Sequence, residues 1–185
     1  MYVYLKERVC NMGKWISNNG KRIKPSPPYG KIALRVTVIV LACLLLLLNV
    51  LSYIFMVVRY YGDGMEPTLT DRQVMVVLKT DGVKQGDMVA FYYNNKVLVR
   101  RVVCEGGNTV DIDAAGIVRV NDTVLKEDYV SNRSRGQCNV QMPCHVPVGQ
   151  YFVMGDNRSV SMDSRLTEIG TVPQERIIGK VIFAF

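Results

Sequence analysis

The chain has 185 residues and a formal net charge of +7, from 23 lysine and arginine residues against 16 aspartate and glutamate residues. Once a membrane segment is set aside, this length leaves room for one globular domain of about 125 residues. The positive excess lies entirely in residues 1–35, whereas residues 36–185 hold fifteen basic and fifteen acidic residues. We therefore expect the charge to set membrane topology and to contact anionic lipid headgroups. It gives no support to nucleic-acid binding.

An apolar segment at residues 36–58 contains 23 residues without a charge. As a helix it would span about 34 Å, slightly more than the hydrocarbon core of a bilayer, at about 30 Å. A cleaved signal peptide is the alternative, but its apolar region would be only about 7–15 residues long and would end at small residues. We predict an uncleaved, single-pass anchor in the cell membrane. The basic flank keeps residues 1–35, a tail with a Pro-rich linker, in the cytoplasm and residues 59–185 outside.

Beyond residue 58 the pattern changes to short runs of β-branched and aromatic residues separated by turn residues. The predicted strands are residues 73–78, 88–93, 97–103, 116–120, 150–154 and 177–185. Two hairpin turns are expected, one at Asn94-Asn95 and one at Asn121-Asp122. No helical pattern longer than about two turns follows the anchor. The predicted fold class is mainly β, with antiparallel sheets and one N-terminal transmembrane helix.

Two motifs stand out in this part of the chain. Gly64-Met65-Glu66-Pro67-Thr68-Leu69 closely follows the anchor, and Gly-Asp-Asn-Arg-Ser-Val-Ser-Met-Asp-Ser-Arg occupies residues 155–165. Together they resemble the bacterial type I signal peptidases, membrane-anchored serine proteases that remove signal peptides with a Ser/Lys dyad. The resemblance covers about residues 30–185. It implies an antiparallel β domain with a smaller β-rich lobe at about residues 111–149.

The chain departs from this family at both members of the dyad. The family's nucleophilic serine precedes the Met-x-Pro-Thr-Leu motif, and its general-base lysine lies on a strand before Arg-Val. These positions hold Gly64 and Arg100 here. Glycine has no side chain to attack with, and arginine keeps its proton because its pKa is above about 12. The resemblance therefore implies a site without an intact catalytic dyad.

The rest of the family's site is expected to remain, and we call it the site frame. Its members are Met65, Pro67, Ser161, Asp163 and Arg165. In the family, the serine matching Ser161 binds the lysine, while the residues matching Asp163 and Arg165 form an ion pair. We expect that ion pair here. Arg100 is a candidate for a further contact with Asp163 or Ser161.

The family's substrate lies extended between two strands. Here these correspond to the segment around Arg59 and Tyr61 and the segment around Val97 and Val99. Main-chain hydrogen bonds to such a substrate need no catalytic side chain. The resemblance therefore implies that peptide binding survives the loss of the dyad.

A replacement dyad is not evident in the sequence. The candidates considered are Asp63, Thr68, Thr70, Lys96 and the pair Cys104 with His145. Asp63 is a poor attacking group for an amide, and the two threonines follow the proline turn. Lys96 shares a strand face with Arg100 but lies about 13 Å along the strand. Nothing in the sequence brings Cys104 and His145 together.

The two cysteines in the expected external loop are Cys138 and Cys144. With five residues between them they could close a small disulfide, or they could remain free thiols. His145 is the only histidine in the chain, and a metal site would need more ligands nearby. We expect neither a metal nor a cofactor.

The function that these observations favour is a non-catalytic signal-peptidase homologue that binds exported precursors or pilin subunits as an assembly factor or chaperone. Dyad-lacking relatives of this kind accompany pilus genes in Gram-positive bacteria, so a sortase is a further candidate partner. The first alternative is an active type I signal peptidase, of which this chain is an inactivated form or which uses other residues. The second is a purely structural membrane subunit, which would not need the motif at residues 155–165.

Overall fold

The structure is a computed structural model that describes residues 29–185. The predicted cytoplasmic tail and most of its linker therefore lie outside the described residues. Helix α1 comprises Tyr29–Ile54. Its segment Ile32–Ile54 has 23 residues and, within the described part of the chain, is the one helix long and apolar enough to cross a membrane. Its apolar side chains are largely exposed, as on a helix that faces lipid (Leu45 is 67% exposed).

The predicted anchor is wrong at its C-terminal end. The helix ends at Ile54, and Phe55–Arg59 form strand β1 instead of the last turn of the anchor. β1 pairs with strand β2, Val74–Leu78, in an antiparallel register that sets Val57 opposite Val76. An apolar run of β-branched residues suits both a membrane helix and a strand. The pairing partner, which lies about twenty residues later, decides between them.

Nine further strands follow β2. They are β3 Met88–Tyr93, β4 Lys96–Glu105, β5 Thr109–Ile112, β6 Val118–Val120, β7 Thr123–Val124, β8 Cys144–His145, β9 Gln150–Met154, β10 Val172–Pro173 and β11 Ile177–Ala184. A short 3-10 helix, Gln174–Arg176, precedes β11. Each of the six predicted strands overlaps an observed one. The short strands β1, β5, β7, β8 and β10 were not predicted.

The strands form two antiparallel sheets. The larger sheet has seven strands in the order β1-β2-β11-β3-β4-β9-β10 in the described chain. The smaller one has the order β7-β6-β5-β8 and lies between Thr109 and His145, close to the predicted lobe. The mainly β fold class with one N-terminal apolar helix is confirmed.

Both predicted hairpin turns are present. Asn94 and Asn95 join β3 to β4 with φ of 46° and 59°, and Asn121 and Asp122 join β6 to β7 with φ of 48° and 65°. A two-residue turn of this type needs positive φ at both positions, which asparagine and aspartate tolerate better than most residues. The first turn fixes the register of β4, and with it the position of Arg100 opposite Val89.

Candidate functional site

The turn that carries Gly64 is held against the larger sheet by buried side chains. Met65 and Leu69 have no exposed surface, and they pack with Tyr60 in one of the hydrophobic cores. The Tyr60 hydroxyl accepts a hydrogen bond from the amide of Met65 at 3.0 Å, and the amide of Leu69 donates to the carbonyl of Met65 at 2.9 Å. Pro67, by contrast, is exposed and follows a cis peptide bond. Met65 thus anchors the turn.

Gly64 and Arg100 lie against each other. A β-carbon placed on Gly64 would be 3.2 Å from Nη2 of Arg100 and 3.3 Å from its Cζ. A side chain at residue 64 would therefore point directly at the head group of residue 100. The structure brings together the two positions at which the resemblance placed the dyad, and the guanidinium occupies the space beside the missing side chain.

Main-chain oxygens hold the Arg100 guanidinium in place. Nε donates to the carbonyl of Met162 at 2.8 Å, and Nη1 donates to the carbonyl of Val99 at 2.6 Å. Arg100 is only 6% exposed. Burial lowers the pKa of Arg100, while the Tyr60 hydroxyl and the Asp163 carboxylate act in the opposite direction. Even so, an arginine starts from a pKa too high for it to serve as a general base.

Asp163 and Arg165 form the predicted ion pair. Nε and Nη2 of Arg165 each donate to a carboxylate oxygen at 2.8 Å, and neither side chain is exposed. The amide of Gly155 also donates to Asp163, at 2.9 Å. These donors occupy both carboxylate oxygens. Accordingly, within residues 29–185 no hydrogen bond joins Arg100 to Asp163, and that expectation was wrong.

Ser161 has no hydrogen-bond partner for its buried hydroxyl within the described chain. The expected bond from Arg100 is therefore also absent. A β-carbon on Gly155 would lie 2.0 Å from the Ser161 hydroxyl and 2.3 Å from the carbonyl of Gly64, so only glycine fits there. The amide of Asn157 donates to the same Gly64 carbonyl at 3.1 Å. Loop 155–165 thus packs directly on the backbone of the turn that carries Gly64.

A second buried ion pair, which was not predicted, ties the smaller lobe to this loop. Arg158 binds Glu127 through a short hydrogen bond, and both side chains are almost completely buried. Nε of Arg158 donates to the carbonyl of Gly155 at 2.9 Å. The partners are 31 positions apart in the chain, which explains why the sequence pattern did not reveal the pair. Only the presence of an arginine inside a motif loop could have suggested it.

A third ion pair lies beside it, between Arg101 and Asp156. Nε and Nη2 of Arg101 donate to the two carboxylate oxygens at 2.9 and 2.6 Å. The guanidinium also stacks on the ring of Tyr129, 4.1 Å from its centroid. Thr68 donates its hydroxyl to Asp156 at 2.5 Å. Thr68 is therefore part of this network, which argues against it as a replacement nucleophile.

An open cleft of about 520 Å³ runs past Gly64 and Arg100. Its lining residues are Tyr60, Tyr61, Gly62, Asp63, Gly64, Tyr93, Asn94, Lys96, Leu98, Arg100, Val160 and Met162. Of the residues predicted to flank a substrate, Tyr61 lines the cleft and Arg59 does not. β4 also contributes as predicted, but through Lys96 and Leu98. The side chains of Val97 and Val99 point the other way, into the core, because side chains alternate along a strand.

Cys104 and His145 do not form a catalytic pair. Cys104 is fully buried in a core where β4 and β9 of the larger sheet pack with residues of the smaller sheet, and burial raises the pKa of its thiol to about 11, with Cys144 and Glu105 adding to the shift. His145 is exposed, and its Nδ1 lies 3.5 Å from the Thr109 hydroxyl. A protonated, inaccessible thiol cannot act as a nucleophile. Thr70 is exposed and, unlike Asp63 and Lys96, is absent from the cleft lining.

Because the Cys104 thiol is buried, we predict that the free energy of unfolding decreases at high pH. Between pH 9 and pH 11 the folded state retains a proton that the unfolded state has released, so stability falls as the pH rises. A shift of two pKa units corresponds to about 3 kcal/mol. We expect urea unfolding to show a smaller decrease over this range in Cys104→Ala than in the unaltered chain. Cys138→Ala serves as the control and should retain the full decrease. Equal decreases in all three proteins would contradict the prediction.

The possible disulfide between Cys138 and Cys144 is not formed. Both cysteines are free thiols in the structure. The Cys138 thiol lies 3.7 Å from the carbonyl of Val140, and the Cys144 thiol lies 3.8 Å from the carbonyl of His145. Burial raises the pKa of the Cys144 thiol, and the neighbouring Cys138 adds to the shift, so the two thiols lie near each other without being bonded. Within residues 29–185 no three histidine, cysteine or acidic side chains come together in a way that could hold a metal ion.

A seven-stranded antiparallel sheet, a smaller β lobe and an apolar helix before them are the architecture expected of a membrane-anchored signal peptidase. Comparison with known proteins agrees. The model of the family described as signal peptidase, peptidase S26, matches residues 33–185. This chain belongs to that family, the signal peptidase I family.

Several curated relatives are similar over most of the chain. Signal peptidase I of Bacillus licheniformis is 34% identical over 163 residues, which are 81% of this chain and 86% of that protein. Signal peptidase IB of Staphylococcus aureus strain Mu50 is 33% identical over 144 residues, 67% of this chain and 74% of the relative. The crystal structure of a signal peptidase I from Enterococcus faecalis V583 has 29% identity, covers 55% of this chain and 97% of that chain, and has a TM-score of 0.46.

Proposed function

We propose that this chain is a signal-peptidase homologue that binds an extended segment of an exported precursor or a pilin subunit without cleaving it. The observation that carries the proposal is the contact between Gly64 and Arg100. A β-carbon on residue 64 would lie 3.2–3.4 Å from the guanidinium atoms of Arg100. The geometry suits a nucleophile and its base, but one position has no side chain and the other has donors only.

The surroundings of these two residues support retained binding. The buried pair of Asp163 and Arg165 and the packing of Gly155 on the Gly64 turn hold the cleft open beside β4. An extended peptide can bind there through main-chain hydrogen bonds and through contacts with Tyr61 and Leu98, none of which need a catalytic side chain. A protein that holds an exported chain in this way would act as an assembly factor or chaperone, with a pilin as client and a sortase as a candidate partner.

The same proposal includes a membrane location. Helix α1 would anchor the protein in the cell membrane as a single pass. The basic residues before it would keep the N-terminus in the cytoplasm and place the β domain outside, where exported chains emerge. The lipid bilayer is thus a further partner of the protein.

The test combines binding and cleavage by the purified full-length chain in detergent micelles. A fluorescently labelled precursor with its signal peptide is expected to bind, measured by anisotropy, and to remain intact on a gel. Tyr61→Ala should weaken binding by about fivefold or more, since an exposed aromatic residue of the cleft is lost. Tyr92→Ala, at an exposed tyrosine outside the cleft, is the matched control. Cleavage by the unaltered chain would refute the proposal.

An active signal peptidase remains the second candidate, since its relatives with about one-third identity are named as such. In that case the unaltered chain would cut the precursor faster than the precursor breaks down in a sample without the protein. The reaction would then need a nucleophile other than residue 64. Asp63, which lines the cleft, would be the first residue to replace.

A further inference from the structure

We propose that the cleft recognises a carboxylate, which binds to Arg100 beside Gly64. The inference rests on the proposed function, because it names the group by which a bound polypeptide is held. The carboxylate belongs either to the C-terminus of a peptide or to an acidic side chain within it. Both have the same charge and the same two acceptor oxygens, so they make the same contact with a guanidinium.

The strongest support is the charge balance of the buried arginines. Four arginines of residues 29–185 have side chains that are buried or nearly so, and three of them have a carboxylate partner. The three pairs are Arg101 with Asp156, Arg158 with Glu127, and Arg165 with Asp163. Arg100 is only 6% exposed and has no ion pair within the described chain. The Asp163 carboxylate acts on Arg100 without a direct ion pair, and both of its oxygens already accept from Arg165 and Gly155. A bound anion in direct contact would balance the charge of this buried cation.

One edge of the Arg100 guanidinium faces Gly64 where both residues line the cleft. Nε and Nη1 donate to main-chain carbonyls, as described above, and a side-chain hydrogen bond with the Tyr60 hydroxyl also acts on the guanidinium. Nη2 faces the position where a side chain of residue 64 would begin, 3.2 Å away. Because Gly64 has no side chain, a ligand oxygen can approach this edge from the cleft. Any larger residue at position 64 would obstruct the approach.

A second cation adds to the positive charge of the cleft. Lys96 is exposed, lies two residues along the same strand face from Leu98, and lines the same cleft. No ion pair involves it among the described residues. Asp63 also lines the cleft, and its negative charge would repel an anion. Arg100, Lys96 and Asp63 together leave a net charge of about +1. That balance suits one carboxylate better than a doubly charged phosphate.

Three labelled peptides test the inference on the unaltered full-length chain. The first is an eight-residue peptide that ends in Ala-Gln-Ala with a free carboxylate, like the end of a released signal peptide. The second is the same peptide with an amidated C-terminus. The third is the amidated peptide with glutamate in place of the final glutamine. We expect the free acid or the glutamate peptide to bind about 10–100-fold more tightly than the neutral amide.

The pattern of binding also identifies the source of the carboxylate. Preference for the free acid alone assigns the contact to a chain end, and preference for the glutamate peptide assigns it to an acidic side chain. Equal binding of all three peptides would overturn the carboxylate inference and leave the peptide-binding proposal standing. Absence of binding by all three, and by the full precursor, would overturn both.

Variants then locate the contact. Arg100→Met removes the charge at nearly constant length and should abolish the preference for the acid while the amide still binds. Lys96→Met, on the exposed rim, should reduce the preference by a few-fold. Lys84→Met removes an exposed lysine outside the cleft lining and is the matched control. A folded Arg100→Met chain that retains the full preference would overturn the assignment. If that variant does not fold, the comparison between acid and amide on the unaltered chain decides.

Discussion

Cleavage of a precursor is expected from a chain that carries both Gly64→Ser and Arg100→Lys, and from neither single variant. The new hydroxyl would start from the position that already points at residue 100. In the family the serine matching Ser161 binds the lysine, and the buried Ser161 hydroxyl has no partner of its own within residues 29–185. Burial would lower the pKa of the new lysine toward that of a base. Because nucleophile and base act as a unit, turnover could rise by as much as about 10⁶-fold.

The matched control for this experiment is Gly64→Ala with Arg100→Lys. It contains the same packing change but no hydroxyl, so it should fold and remain inactive. The measurement is the rate at which a labelled precursor is converted, compared among the unaltered chain, the two single variants and the two double variants. Activity in the alanine control would show that residue 64 is not the nucleophile. A well-folded but inactive serine double variant would contradict the prediction.

The stability of the single variants provides a related readout. A serine at residue 64 would crowd the Arg100 guanidinium, which lies 3.2–3.4 Å from the new β-carbon. Such overpacking costs about 1–3 kcal/mol. Arg100→Lys opens the space, so we expect the double variant to be more stable than the sum of the single effects predicts. Additive effects would mean that residues 64 and 100 are not in contact.

Asp163→Ala is expected to lower the free energy of unfolding by about 3–5 kcal/mol, because it leaves the fully buried Arg165 without its counter-ion. The amide of Gly155 would also lose its acceptor. Chemical denaturation of the full-length chain measures the effect. Asp128→Ala, which breaks an ion pair that is largely exposed, is the control and should change little.

A charge-balanced variant distinguishes the effect of an unpaired buried charge from the effect of lost packing contacts. Asp163→Ala together with Arg165→Met removes both charges, and it should recover part of the loss since no buried charge remains unpaired. If Asp163→Ala is as stable as the unaltered chain, the pair does not hold the loop. In that case the site frame would depend on the core packing of Met65 alone.

Local patterns in the sequence predicted much of the fold. Hydrophobic length located the helix, and alternating β-branched runs located the six longer strands. Asn94-Asn95 predicted a hairpin because both residues tolerate positive φ. The closeness of Gly64 and Arg100 came from the family resemblance and not from local pattern. The structure agrees with it, although the two residues are 36 positions apart in the chain.

Features that depend on distant partners could not be predicted. The helix ends at Ile54 because β1 pairs with β2, which the apolar composition does not encode. The prediction assigned the wrong face of β4 to the cleft. Side chains alternate along a strand, so a shift of one residue decides whether Val99 or Leu98 lines the cleft. The ion pair of Arg158 with Glu127 joins a motif loop to a lobe that shows no motif of its own.

That ion pair has a consequence for any attempt to obtain a minimal version of this protein. Glu127 and Tyr129 both belong to the smaller lobe, and they neutralise Arg158 and cover Arg101. Deleting the lobe to leave only the seven-stranded sheet would leave the buried Arg158 without its counter-ion and would expose Arg101. Shortening the chain in this way, by engineering or over evolutionary time, would therefore destabilise loop 155–165, which packs on the turn that carries Gly64.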